Sequence, residues 1–209
     1  MKVLLLLAGC VALTGCSVFG QNNVESAPYT LVKADQALKI EVYNYASMVL
    51  VSAEMPEGSR NTAFRKLFRY ISGENYGATE ISMTAPVLMA GNAEVKPGTE
   101  ISMTAPVFMG MQAGKSQMSF VMPKEFTLQN TPKPKDPTLQ ISELRNYQVA
   151  AIQFSGTLSA GNVAEHTQIL QDWLKTQGYV AIGAPLEAGY NGPMTLPMLR
   201  RNEILIEIQ

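Results

Sequence analysis

The sequence predicts an α+β fold: a duplicated, β-rich unit that carries one helix per copy and forms an antiparallel sheet or barrel. Three observations lead there. Apolar residues alternate with period two through much of the chain and switch to a helical period only twice. The two helical stretches begin about 100 residues apart, which suggests duplication. Each follows strand-like runs and precedes another, and strands in runs with few helices belong to α+β architecture.

The chain opens on an address rather than a fold. Residues Met1–Cys16 read MKVLLLLAGCVALTGC, with Lys2 ahead of an apolar run from Val3 to Leu13. That run is too short for a stable span, which needs roughly 20 residues, and it suits a secretory signal. Its ending, Leu13-Thr14-Gly15-Cys16, resembles the bacterial lipobox, in which the cysteine is acylated and becomes the new N-terminus. Leu7-Ala8-Gly9-Cys10 fits the same pattern but would leave only Val3–Leu7 as apolar run, so Cys16 is the expected lipidation site. Residues 1–15 are then a signal peptide and residues 16–28 a polar, lipidated tether. Ser17 follows the cysteine where an aspartate does not, which by resemblance to Gram-negative lipoproteins points to palmitate-type anchoring in the outer membrane. The folded part would face the periplasm, and the acyl chains would supply the membrane attachment.

The folded domain is expected over residues 29–209, in two pseudo-repeats of about 29–130 and 131–209. Tyr29–Val32 and Leu38–Tyr45 read as strands, with Leu38, Ile40 and Val42 on one side, and Met48–Ala53 reads as another. Pro56-Glu57-Gly58 is a turn signal. Over Ser59–Ser72 the period changes: Phe64, Leu67, Phe68 and Ile71 share a helix face, with Arg65, Lys66 and Arg69 opposite and Gly73 placed to end the helix. Met118–Met122 is a further strand, and Thr131–Pro137, TPKPKDP, is a Pro-rich connector. The order then recurs. Thr138–Glu143 and Tyr147–Phe154 read as strands. Asn162–Gln177 reads as a helix with Asn162 as its N-cap, a stripe of Val163, Thr167, Leu170 and Leu174 with Trp173 at its edge, and Gly178 at its end. Ile204–Ile208 closes the second half.

A tighter repeat lies between the halves. Ile81-Ser82-Met83-Thr84-Ala85-Pro86-Val87 recurs as Ile101-Ser102-Met103-Thr104-Ala105-Pro106-Val107. Proline cannot donate to a ladder, so each copy is expected at a strand end or edge.

Composition narrows the function. The 209 residues are 46% hydrophobic and 16% charged, and 16 Lys+Arg balance 17 Asp+Glu to a net charge of −1. That balance argues against nucleic-acid binding by bulk electrostatics. One histidine and two cysteines exclude a multi-cysteine zinc site, a three-histidine catalytic metal and a disulfide scaffold. Cleavage before Cys16 would discard Cys10 and commit Cys16 to lipid, leaving no thiol for catalysis. No G-x-S-x-G, H-E-x-x-H or phosphate loop occurs, and the expectation is a protein without enzymatic activity.

A set of ordered blocks resembles the SOUL haem-binding family. They are Phe64…Leu67…Tyr70-Ile71-Ser72-Gly73-Glu74-Asn75, the Ile81–Val87 heptapeptide, Ser119-Phe120-Val121-Met122-Pro123, Pro132-Lys133-Pro134, Phe154-Ser155-Gly156, Ala188-Gly189-Tyr190-Asn191-Gly192-Pro193 and Arg200-Arg201-Asn202-Glu203-Ile204. They run through nearly the whole of residues 29–209, and the doubled MTAPV segment resembles bacterial members. The resemblance implies a pseudo-twofold duplicated antiparallel barrel of about eight strands with two helices. It also implies haem or another tetrapyrrole as ligand, held in a largely apolar site. The architecture resembles that of gyrase-inhibitor-like effector domains, which hold apolar ligands.

Candidate haem contacts are few. His166, the only imidazole, is a candidate axial ligand; its place between Trp173 and Leu170 equally suits a hydrogen-bonded histidine at the core boundary. The resemblance carries over no ligand position to it. Among 12 methionines, Met83, Met103, Met109, Met111, Met118 and Met122 offer thioethers that suit haem iron, although methionine also packs irregular cores. Arg65, Lys66 and Arg69 could pair with propionates or simply form a solvated face. The expected partners are a membrane, through the N-terminal lipid, and a small apolar ligand, with no nucleic acid. The expected role is a tetrapyrrole carrier or buffer of the envelope. The alternatives are a barrel that binds or hydrolyses another apolar molecule, and an interaction module that docks through the MTAPV region.

Overall fold

The structure is a computed structural model, and it describes residues 24–55, 59–77, 98–112, 115–192 and 194–209. The signal segment, Cys16 and Met83 lie outside the described residues, as does the first heptapeptide copy. In chain order the elements are β1 (Glu25–Ser26), β2 (Thr30–Asp35), β3 (Ile40–Glu54), α1 (Arg60–Ile71), β4 (Asn75–Tyr76), β5 (Thr104–Gln112) and β6 (Lys115–Val121). There follow β7 (Lys133–Pro134), β8 (Gln140–Phe154), α2 (Ala160–Gln177), β9 (Leu186–Gly189), a 3-10 turn (Pro197–Leu199) and β10 (Asn202–Glu207).

Six strands close a barrel in the order β5-β6-β3-β8-β10-β9, with β9 returning to β5. Full closure removes the sheet edges that would otherwise invite pairing with other chains. At the closing seam Gly110 faces Leu186. A Cβ there would sit 2.6 Å from the leucine Cδ2, so the seam closes tightly over glycine. β2 adds to the edge of β3, and β1 pairs in parallel with β5, the one parallel pairing of the described sheet. The expected α+β class, antiparallel barrel and two helices are all present.

The two longest strands correct the sequence reading. β3 is one strand of 15 residues, not the two expected at Leu38–Tyr45 and Met48–Ala53, and β8 likewise joins Thr138–Glu143 to Tyr147–Phe154. They pair from Ile40–Ile152 to Ser52–Gln140 without a register shift. What changes is which face points inward. Tyr43 and Tyr45 pack inside, and then Met48 and Leu50 do; on the partner strand Tyr147, Val149 and Ala151 pack inside, and then Leu144 does. The odd-to-even switch falls on both strands around the rung of Ala46 and Asn146, and Asn146 has φ 49°. A local left-handed backbone thus shifts the alternation without ending the ladder, and in sequence that shift imitates a break.

Three cores result. The barrel interior receives side chains from all six strands, dominated by Tyr43, Tyr45, Phe108 and Tyr147. On the outer wall α1 buries Ala63, Leu67, Tyr70 and Ile71 against Val49, Val51 and Phe120. α2 buries Leu170, Trp173 and Leu174 against Val42, Ile152 and Ile204. Leu67 and Leu170 are both fully buried, and each such side chain contributes about 1.5–3 kcal/mol. The apolar face of α1 is rotated from expectation: Phe68 is 48% exposed, and Ala63 and Tyr70 take the core instead.

The caps are partly as expected. Gly178 ends α2 in the left-handed region at φ 77°, and Gly73 follows α1 at φ 103°. The N-cap of α2, however, is Ser159, whose hydroxyl accepts from the Asn162 N–H; the Asn162 amide instead donates to the carbonyls of Ser155 and Thr157. The second heptapeptide copy enters β5 at its start, where the register shifts between Thr104 and Val107, so Pro106 does sit at a strand end. Ile101, Thr104 and Ala105 are buried there. Ser102 is exposed and Met103 and Val107 are half-buried, so the surface that this copy offers is limited to those residues. Among the described residues no helix is long and apolar enough to cross a membrane.

Candidate functional site

A cleft of about 520 Å³ opens on the outer wall of the barrel, between the first turns of the two helices. Its floor is apolar. Val107 and Met109 point out from β5 while Phe108, between them, points in, as strand alternation requires. Met118 of β6 pairs directly with Met109, so the two methionines are cross-strand neighbours on the cleft floor. Phe64 of α1 and Leu158, just ahead of α2, form the side walls.

The rim is polar and tied together. The Gly156 N–H donates to the Pro197 carbonyl at 2.8 Å, the Asn202 amide donates to the Gly156 carbonyl at 3.1 Å, and the Arg201 N–H donates to Asn191 Oδ1 at 2.7 Å. These bonds fasten the loop before α2 to the loop joining β9 and β10. Arg60, the first residue of α1, reaches across to Glu187 of β9 and donates to both carboxylate oxygens at 2.9 and 3.1 Å. Burial pushes the Glu187 carboxyl above its ordinary range, and the guanidinium opposes the shift. Neither helix has an acidic residue in its first turn, so the positive ends of both dipoles point at the cleft without a fixed counter-charge from the helix itself.

The barrel interior is packed with tyrosines, Tyr43, Tyr45 and Tyr147, around one buried carboxylate. Glu203, 3% exposed, accepts from Tyr43 Oη at 3.0 Å, Tyr190 Oη at 2.6 Å and Arg201 at 2.9 and 2.6 Å. Burial, reinforced by the Glu203 carboxylate, pushes the Tyr43 and Tyr190 hydroxyls far up, so both stay protonated donors. A second cavity, of about 280 Å³, is lined by Asp35, Lys39, Glu41, Gln153 and Glu203. It is smaller and carries three carboxylates, which suits water better than an apolar ligand.

The sequence-derived candidates scatter. His166 is half-buried on α2, with Nδ1 2.8 Å from the Asn162 carbonyl and its ring stacked on Phe154 at 4.2 Å. It is not among the residues that line the cleft. Arg65 is exposed, and Arg69 pairs with Glu74 at 3.2 Å. Neither lines the cleft; they project from the solvent side of α1, and the arginines at the cleft are Arg60 and Arg200. Met103 packs half-buried against the core beneath α1. Of the methionines considered for iron, the structure brings Met109 and Met118 together. Among the described residues no group of three or more His, Cys, Asp or Glu could hold a bare metal ion.

Sequence reasoning missed Arg60, Asn61, Thr157, Leu158 and Ser159. A signal for most of the others was present. Phe64, Gly189, Asn191, Gly192, Arg200 and Asn202 all come from the resemblance blocks, and they converge on this one cleft although they span much of the chain.

Comparison with known proteins agrees with the fold. Solved structures with a similar fold include a hydrolase from Listeria innocua, at 9% identity and a TM-score of 0.54 over 82% of this chain and 92% of that one. An uncharacterized conserved protein from Listeria innocua is similar to the same degree, over 82% and 93%. A DNA complex of EcmrR is similar at 11% identity and a TM-score of 0.53, over 81% of this chain and 57% of that one. At such identities the likeness is one of fold. No curated protein matches the chain. The sequence profile of the SOUL heme-binding protein family matches residues 24–98 and 90–207, both halves of the duplicated barrel, and the chain belongs to that family.

Proposed function

We propose that the protein is a lipid-anchored carrier or buffer of haem or a related tetrapyrrole, held in the cleft between the two helix starts. The cleft is the observation that carries this reading. Its volume of about 520 Å³ falls within the roughly 300–1,000 Å³ of small-molecule sites. Its floor of Phe64, Val107, Met109, Met118 and Leu158 suits a flat apolar macrocycle. The rim suits carboxylates, because Arg60 and two helix N-termini supply positive potential.

The donor set fits haem. Met109 and Met118 are the soft donors of the cleft, and thioethers are haem-iron ligands. Bound haem supplies a redox-active iron; the chain's own residues hold the ring, exclude water from its faces and orient its acidic edge toward Arg60. Glu187 competes with any ligand carboxylate for that guanidinium. Ser159 is spent as a helix cap, and the reading is one of binding without a reaction. The anchor at Cys16, the outer-membrane location and the periplasm-facing domain belong to the same proposal. Their support is the signal-like start and the lipobox ending at Cys16.

Titration of the protein with haemin, followed at the Soret band, tests the site. A saturable shift at micromolar haemin is expected. Val107→Trp, which fills the cleft, should abolish it with melting unchanged, and His166→Ala should keep it. The absence of a saturable shift overturns the proposal. Loss in His166→Ala with melting intact would move the site to α2.

A further inference from the structure

The β9–β10 loop leaves four large apolar side chains in solvent within six residues: Met194 is 76% exposed, Leu196 42%, Met198 73% and Leu199 42%. A solvated turn has no use for them, and exposed apolar clusters mark contact surfaces. The loop is nonetheless well built. Thr195 beneath it is 4% exposed, its carbonyl accepts from Arg200 Nε at 2.8 Å, and Pro197–Leu199 form a 3-10 turn.

We propose that this loop is a membrane-contacting surface, whose apolar side chains enter the lipid interface of the bilayer that holds the N-terminus. Strand direction carries the argument. β9 runs into the loop, and β5 is antiparallel to β9, so β5 begins at the loop end of the barrel. β1 lies parallel to that beginning, with Glu25 beside Thr104 and Ser26 beside Ala105. The chain ahead of Glu25 therefore leaves the barrel at the same end as Met194–Leu199. Residues 17–23 separate Cys16 from the described chain, so an anchor there would hold this end within about 30 Å of the lipid. The geometry rests on the lipid-anchor part of the reading above and is independent of haem.

Charge adds to this. From Met194 to Asn202 the sequence holds Arg200 and Arg201 and no carboxylate; Arg201 is paired with the buried Glu203, so the charge that suits anionic headgroups is that of Arg200. Other exposed apolar residues, such as Leu31, Val32, Leu38, Phe68 and Tyr76, are spread over the surface, and Val180 and Ile182 lie at the far end of β10, where the Ile182 N–H bonds the Glu207 carbonyl. That is about 20 Å from the loop along the six-residue strand. Asn191, Gly192 and Arg200 belong to both the loop and the cleft rim. A docked loop would therefore turn the mouth of the cleft toward the lipid, and an apolar ligand could pass between them without crossing bulk water.

The test places a polarity-sensitive fluorophore at Met198→Cys or at Ile182→Cys in the full chain purified from membranes. The chain is bound to phosphatidylethanolamine–phosphatidylglycerol vesicles that contain brominated lipid. Mass spectrometry of the N-terminus reports separately whether Cys16 is acylated, and haemin titration reports separately on the cleft. At least about threefold stronger quenching is expected at position 198 than at 182. Adding Met194→Ser, Leu196→Ser and Leu199→Ser should remove it while thermal melting is kept. Equal or absent quenching at the two positions overturns the proposal, and so does quenching that survives the three serines, whether or not the chain is acylated.

Discussion

Tyr190→Phe should weaken the whole fold, although it deletes a single oxygen. Tyr190 ends β9 and starts the cleft-rim loop, and its hydroxyl donates to Glu203 Oε2 at 2.6 Å. Glu203 is 3% exposed, so water cannot replace the lost donor. A hydrogen bond to a charged partner contributes about 1.5–3 kcal/mol, and an expected loss near 2 kcal/mol lowers Tm by roughly 4–8 °C in a chain of this size. Tyr43→Phe removes the other donor to the same oxygen, at 3.0 Å, and should cost a similar amount. Because both hydroxyls donate to Oε2, each single variant loses one charge-assisted bond, and the double variant leaves that buried oxygen without either hydroxyl donor. The double variant should therefore cost about 1 kcal/mol more than the two singles together. Tyr147→Phe is the control: that ring stacks on Tyr45 at 6.5 Å, and its hydroxyl does not bond Glu203. Urea denaturation with a common m-value measures all four. Single losses below about 0.5 kcal/mol, or strict additivity, would refute the idea that Glu203 organises the interior.

Three other outcomes are expected. The Asp35 carboxyl is held below its usual range of about 3.8 by the Leu38 N–H and by Trp173 Nε1, which donates at 3.0 Å; its contribution to stability is present above that pH and is lost as pH falls through the lower folded value. Trp173 is the only tryptophan, so acid titration of its emission should show that step, and Asp35→Asn should erase it. Glu187 has the opposite sign: burial raises its folded pKa above about 4.5, so the chain gains stability as pH falls from the raised value toward the ordinary one. Glu187→Gln should remove that gain, release Arg60, and tighten haemin binding by about three- to tenfold, measured by Soret titration. Gly178→Ala isolates a backbone cost, since nothing lies within 4 Å of the added Cβ while φ is 77°; a loss of about 1 kcal/mol in denaturation is expected.

Local rules were legible where the sequence is locally consistent. The period change at Ser59–Ser72, the glycine after each helix and the alternation of β6 need only neighbours within a few residues. The long strands were misread because one left-handed residue, Asn146, exchanges inner and outer faces in mid-ladder. Asn75 was part of a motif without a reason. In the structure it is fully buried, donates to the carbonyls of Tyr70 and Thr99, and accepts from the Thr99 N–H, so it latches the chain after α1 to the start of the heptapeptide copy. The cleft was the least legible part. Val107 and Met118 look like ordinary strand residues, and nothing local says that their outward faces floor a cleft. Their place there depends on where two helices, about 100 residues apart, happen to begin.

That last point bears on how a duplicated barrel acquires a binding site. Each copy of the unit lays its helix across the outer wall, and each helix protects the strands beneath it with its apolar face. The two helices leave a cleft where both begin, and the seam strands β5 and β9 cross its floor. Met109 is 8% exposed and packs with Met118 in the core beneath α1, and Val107 lies half-buried against them, so the floor is apolar and close-packed. The interior is packed with Tyr43, Tyr45, Phe108 and the Glu203 network. On the reading proposed above, a ligand in the cleft would complete the outer wall, with its anionic edge toward Arg60 and the two helix starts. On that reading the binding site of the barrel lies on its outer wall, where the two helices begin.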